Sequence, residues 1–276
     1  IKKLLLIVVT ITGAFALTSC SGGQTTINDS SKIKTISTQE LQTDIGKSDW
    51  IVVDTRINDA FNGWKLDNVS RGGHIKGATD FSSNWIKVDA KDKDKTLLNT
   101  LKTKGITADK NVILYDANGK DTQAVATYLL KNGIKHIYKY DVKQWASDKK
   151  LPMESYSNYQ KLVPASWVHD LIIGKKPQTF TGKSFKIFEV SWGEAKNSYD
   201  KGHIPGSIHI DTDEIEAPPL WSIKSDSDLM KFALKNGITT DTTLILCGDD
   251  VMASYRIAAI TKYLGVKDVR VVNGGL

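Results

Sequence analysis

The chain has 276 residues, 40% of them hydrophobic and 25% charged, an ordinary globular balance and enough length for two domains. Its formal charge of +6 comes from lysines scattered among acids, with no basic run interleaved with aromatics, which gives nucleic acid no footing as a partner. Only two cysteines occur, Cys20 and Cys247, so neither a disulfide framework nor a cysteine-paired metal centre is available.

The chain opens with Lys2 and Lys3, then an apolar stretch from Leu4 to Leu17, then Thr18-Ser19-Cys20. A charged start, a short hydrophobic core and small residues before a cysteine read as a bacterial lipoprotein signal peptide over residues 1–19. The apolar stretch is short of the roughly 20 residues a membrane helix needs, and Thr10, Thr12 and Gly13 dilute it. Cleavage would leave Cys20 lipidated and the rest of the chain in the cell envelope, anchored to a membrane and facing away from the cytoplasm. An ordinary secretory leader with an incidental cysteine is the alternative. Residues 20–34 are small and polar, as expected of a flexible tether.

A first series of elements follows. The apolar run from Trp50 to Val53 ends in Asp54-Thr55-Arg56 and predicts a buried strand that delivers polar groups at its C-terminal end. Gly73-His74-Ile75-Lys76-Gly77-Ala78 reads as a loop and Asn111–Tyr115 as a second strand. The spacing predicts a helix over Thr122–Lys131, stopped at Asn132-Gly133, and a short strand over Ile137–Tyr140. Alternating Lys and Asp over Lys87–Lys95 predict a solvated loop.

The second half runs the same course. Phe185–Val190 is a strand, Gly202-His203-Ile204-Pro205-Gly206-Ser207 the matching loop, and Thr242–Cys247 the matching second strand. A helix over Ala253–Leu264, stopped by Gly265, and a strand over Val269–Val272 complete it. Strands alternating with helices, twice over, predict tandem α/β domains with parallel sheets, over residues 35–150 and 160–276. Pro152 and the polar stretch from Ser155 to Asn158 fall between them.

The paired loops around Gly73–Ala78 and Gly202–Ser207, the Asp54-Thr55-Arg56 triplet, a strand ending in Cys247 before a helix, and the closing Asn273-Gly274-Gly275 together resemble the rhodanese family. The resemblance runs from about residue 35 to the end. It implies two tandem rhodanese-like domains, each a parallel β-sheet flanked by helices. It also implies a sulfurtransferase that moves sulfane sulfur from thiosulfate or 3-mercaptopyruvate to cyanide or a thiol through a cysteine persulfide. No cofactor or metal is implied. The partners would be a small sulfur-donor anion, the acceptor, and a membrane reached through lipid on Cys20.

Within that resemblance Cys247 is the sulfur-accepting residue, and Gly248, Asp249, Asp250, Val251, Met252 and Ala253 form the loop around the persulfide. The residues give an independent argument. Strand C-termini facing helix N-termini are where parallel sheets bind ligands, and loop amides with a helix dipole favour thiolate over thiol. Two departures weigh against this. Asp249 and Asp250 bring negative charge, and Ser191 stands where the first half has Arg56, as Glu189 does for Asp54. The competing reading is a degenerate, non-catalytic rhodanese-like scaffold, any active cysteine then lying in a third domain.

A phosphatase loop is excluded, because the sixth residue after Cys247 is Ala253 and not arginine. Superposing the helix stops Gly133 and Gly265 places Tyr115 at the Cys247 position, so the first copy has no thiol and cannot transfer sulfur. His74 and His203 read as loop-bracing residues, Trp64 as a packed loop side chain, and Glu216–Trp221 as a rigid loop able to border the Cys247 pocket.

Overall fold

The computed structural model describes residues 33–275. The leader expected over residues 1–19, the expected lipidation site Cys20, and residues 21–32 lie outside the described residues. The first half contains β1 (Lys34–Thr35), β2 (Trp50–Asp54), β3 (His74–Ile75), β4 (Thr79–Asp80), β5 (Asn111–Asp116), β6 (Ile137–Asp141) and β7 (Met153–Glu154). Interleaved with them are α1 (Thr38–Asp44), α2 (Asn58–Asn62), α3 (Ser83–Lys87), α4 (Lys93–Thr103), α5 (Lys120–Lys131) and α6 (Val142–Ser147). The second half contains β8 (Leu162–Val163), β9 (Phe185–Ser191), β10 (Ile208–Asp211), β11 (Glu216–Ala217), β12 (Ser222–Ile223), β13 (Thr243–Cys247) and β14 (Val269–Val272), with α7 (Ala165–Ile172), α8 (Asp226–Lys235) and α9 (Val251–Tyr263).

Each half builds a five-stranded sheet, in the order β1-β6-β5-β2-β4 and, read in the matching sense, β8-β14-β13-β9-β10. Every pairing in both sheets is parallel. Strands β2, β5 and β13 are largely apolar because helices cover both faces. Period-two alternation sorts their side chains. In β5, Val112 and Leu114 pack with Val125 and Leu129 of α5, while Ile113 and Tyr115 face Trp145 of α6. In β13, Leu244 and Leu246 pack with Ile257 and Ile260 of α9, while Ile245 and Cys247 face Trp167 and Val168 of α7.

Several boundaries differ from the sequence reading. Lys34, assigned to the tether, already pairs with Tyr138. Helix α5 starts at Lys120 and α9 at Val251, each ahead of the expected residue, and the Asp250 side chain caps α9. Of the Lys/Asp stretch expected as loop, Lys93–Lys95 is the first turn of α4. His74 and Ile75, also expected in a loop, form β3 and pair antiparallel with β7, which lies beyond the expected end of the first domain at residue 150. Among the described residues no helix is long and apolar enough to cross a membrane.

The halves are pinned together by Trp64. Its indole is 1% exposed, donates through Nε1 to the Leu162 carbonyl at 2.9 Å, and packs on Tyr159 and Trp167. Asn273 Nδ2 adds a bond to Asp59 Oδ1 at 2.9 Å, and Gln178 Nε2 one to the Lys65 carbonyl at 3.0 Å.

Candidate functional site

Cys247 ends β13, at the C-terminal edge of the second sheet, and α9 begins four residues later. Strand register places it beside Glu189, as it places Tyr115 beside Asp54 in the first half. Gly248 follows because nothing larger fits, a Cβ there lying 2.1 Å from the Val190 carbonyl oxygen. Asp250 then fastens the loop. Its Oδ1 accepts from the Met252 amide at 2.8 Å and its Oδ2 from Trp192 Nε1 at 2.7 Å.

The thiol itself is sealed. Cys247 is 0% exposed and packs among Trp64, Val163, Trp167, Ile187, Ile245 and Val272. Its Sγ donates to the Phe188 carbonyl at 3.5 Å. Burial, and next the charge of Glu189, push its pKa up to about 12. The expected lowering by loop amides is therefore not found. The physical reason is alternation: Cys247 is two residues from Ile245 and shares its face, so the sulfur points under α7 and away from the α9 amides. Gly248, Asp249, Asp250, Val251, Met252 and Ala253 do form the strand–loop–helix turn, but Asp250 occupies the Met252 amide.

Glu189 was given no role in the sequence reading, which noted it only where the first half has Asp54. In the first half Asp54 and Arg56 form a buried pair, with Nε–Oδ1 at 2.9 Å and Nη2–Oδ2 at 2.6 Å, and Nη2 also holds the Gly73 carbonyl at 2.8 Å. In the second half Ser191 replaces the arginine and bonds His209 Nε2 at 2.8 Å and the Gly193 carbonyl at 2.9 Å. Glu189 is 0% exposed, neither carboxylate oxygen has a hydrogen-bond partner among the described residues, and His209 Nε2 is 3.9 Å away. Burial is the main cause raising the Glu189 pKa. The signal for this in the sequence is the loss of the arginine two positions downstream.

The first copy is closed by its own side chains. Tyr115 is fully buried, and its hydroxyl accepts from the Ile75 amide at 3.2 Å. Where α5 begins, the Asp116 carboxylate accepts from the Gly119 and Thr122 amides, both at 2.9 Å, filling the cradle an anion would need. The two motif histidines brace loops. His74 Nδ1 lies 2.8 Å from the Phe61 carbonyl and its ring stacks on Phe61, while His203 Nδ1 lies 2.8 Å from the Tyr199 carbonyl and stacks on Tyr199. The Glu216–Trp221 loop does border a cavity, of about 420 Å³, with Trp192 and Arg256, but Cys247 does not line it.

Comparison with known proteins agrees with this architecture. A family model described as a rhodanese-like domain matches residues 37–148 and 165–276. Thiosulfate sulfurtransferase YnjE of Escherichia coli is 36% identical over 242 residues, 88% of this chain and 53% of that protein. Sulfur carrier protein TtuD of Thermus thermophilus is 33% identical over 123 residues, 44% of this chain and 39% of its own length. The crystal structure of an anaerobic ergothioneine biosynthesis enzyme from Chlorobium limicola, in complex with trimethyl histidine, superposes with a TM-score of 0.78 at 31% identity, over 88% of this chain and 60% of that one. The chain thus spans about half the length of the YnjE relative.

Proposed function

The chain belongs to the rhodanese family, and from that premise we propose that it is a sulfurtransferase carrying sulfane sulfur on Cys247. In the reaction the Cys247 thiolate attacks the outer sulfur of thiosulfate, the donor S–S bond breaks, and sulfite leaves with the electron pair. With 3-mercaptopyruvate the C–S bond breaks instead, and pyruvate forms as the carbon takes a proton. A thiolate or cyanide then takes the outer sulfur and regenerates the Cys247 thiolate. The observation that carries the reading is the position of Cys247, the one free cysteine among the described residues, at a strand end ahead of a 13-residue helix in a chain 36% identical to a thiosulfate sulfurtransferase. Because the thiol is buried, donor attack requires residues 248–252 to swing out so that the sulfur reaches the amides starting α9.

Burial of the same thiol favours a second reading, in which the two domains are a non-catalytic scaffold and the reactive cysteine lies in a further domain. One measurement separates them. The protein is incubated with thiosulfate or 3-mercaptopyruvate and its intact mass recorded, with Cys247→Ser as control. Gain of one sulfur atom, lost on adding a thiol and absent in the variant, supports transfer at Cys247. No gain with either donor sinks it and leaves the scaffold. Export and lipidation at Cys20 belong to the same proposal, and incorporation of labelled fatty acid that disappears in Cys20→Ser tests them.

A further inference from the structure

The cavity beside the β11–β12 hairpin is separate from the Cys247 core, and its walls are chemically specific. Trp192, Thr212, Asp213, Glu216, Trp221 and Arg256 line a recess of about 420 Å³. The two tryptophans stand on its rim, 49% and 48% exposed. Trp192 is held through its Nε1 by Asp250, and Trp221 sits in the connection between the paired strands β11 and β12.

The polar groups are unevenly satisfied. Glu216 is 1% exposed, and its Oε2 accepts from Arg256 Nε. Its Oε1 is buried with no partner among the described residues, and so is the hydroxyl of Thr212, also 1% exposed. Arg256 spends Nη2 on the Trp221 carbonyl and keeps a part-exposed guanidinium edge toward the recess. A buried carboxylate oxygen without a donor bears a desolvation penalty that an entering N–H group relieves. An unspent guanidinium edge is a carboxylate receptor, and indole faces attract both ammonium groups and flat apolar bodies.

We propose that this recess binds a small zwitterion, an amino acid with an aromatic side chain. Its ammonium meets the wall that carries Glu216 and Thr212, its carboxylate meets Arg256, and its side chain lies between Trp192 and Trp221. A dianion such as thiosulfate is disfavoured by Glu216 and Asp213 on the wall, and a simple cation by Arg256. The zwitterion is the occupant whose two charges match the pair. The lining residues lie outside the Cys247 core, although Asp250, which holds Trp192, belongs to the loop that follows that cysteine.

Isothermal titration of the full chain with L-phenylalanine and with L-histidine tests the assignment. Saturable binding of one molecule per chain is expected for at least one of them. 2-Phenylethylamine and 3-phenylpropanoate, which each lack one charge, should bind at least about tenfold more weakly, the size of one charge-assisted hydrogen bond. Trp221→Ala should weaken binding by about tenfold or more with the melting temperature kept, and Trp192→Phe should show a loss in the same direction. Absence of binding by both amino acids overturns the proposal. So does equal affinity for either single-charge analogue, or unchanged binding in both tryptophan variants.

Discussion

Replacing Glu189 by glutamine removes the negative charge beside the Cys247 sulfur at constant volume, and its effect can be bounded from the structure. The rise of the thiol from an ordinary 9.0 to about 12 cuts the thiolate population near neutral pH roughly a thousandfold. Burial is the larger cause and Glu189 the smaller, so the share of Glu189 lies below about thirtyfold, the square root of the whole. Glu189→Gln should therefore speed alkylation of Cys247 by iodoacetamide about three- to thirtyfold at pH 8.5, read as the rate of mass gain on the intact chain. In both proteins the rate should keep climbing with pH, because thiolate accumulates only toward the raised pKa. Stability supplies a second readout with a definite sign. A carboxyl whose folded pKa lies above its unfolded value stabilises the fold only below that unfolded value, and the contribution is lost as pH rises through the folded pKa. Glu189→Gln should then raise the melting temperature at pH 8, and the gain should shrink as pH falls toward the ordinary carboxyl range. An unchanged alkylation rate in a folded variant would refute the electrostatic account. So would a wild-type thiol that reacts at close to its rate in guanidinium.

Two structural variants test the frame that holds the site. Trp64→Ala removes a buried indole that one half lends to the core of the other, and should cost about 3–5 kcal/mol. Calorimetry should show this as a fall of several degrees in melting temperature, and a loss under about 1 kcal/mol would contradict the packing described. Arg71 donates to the carbonyls of Trp145, Ala146, Asp148 and Leu151 at 2.7–2.9 Å, tying the loop before β3 to the end of the first domain. Arg71→Ala should destabilise by about 3–5 kcal/mol by leaving these acceptors without their donor, and Arg71→Lys should restore less than half, since an ammonium cannot fan out to four carbonyls. Chemical denaturation of both variants checks the ranking.

Strands β2, β5 and β13 were legible as largely apolar runs, β9 and β14 less directly because Lys186, Glu189 and Arg270 interrupt them, and α5 and α9 because Gly133 and Gly265 stop them. Equating Tyr115 with Cys247 needed only those two glycines, and the matched registers with Asp54 and Glu189 agree with it. Helices α4 and α8 were not recognised. Each presents a narrow buried stripe, Leu97 and Leu101 in one and Leu229, Phe232 and Ala233 in the other, among charges that read equally well as loop. The partners of Trp64 lie about a hundred residues away in sequence, beyond any local pattern. The direction of Cys247 is legible in its spacing to Ile245, because strand alternation and not the α9 dipole sets where the sulfur points.

The two copies differ at the end of the second central strand, and the difference decides what Cys247 requires. In the first, a carboxylate from Asp116 occupies the amides at the start of α5 and a tyrosine stands in place of sulfur. In the second the sulfur is kept, but the arginine that neutralises the buried acid is gone, so the nearest full charge is negative. Raising the thiol from 9.0 to about 12 corresponds to roughly 4 kcal/mol against the anion. A helix dipole supplies at most about 2 kcal/mol, and only to a charge at its own N-terminus. The α9 dipole therefore cannot make Cys247 a nucleophile where it sits. Sulfur transfer at this residue would therefore need both an opening that lets a donor reach the sealed sulfur and relief from the Glu189 charge beside it.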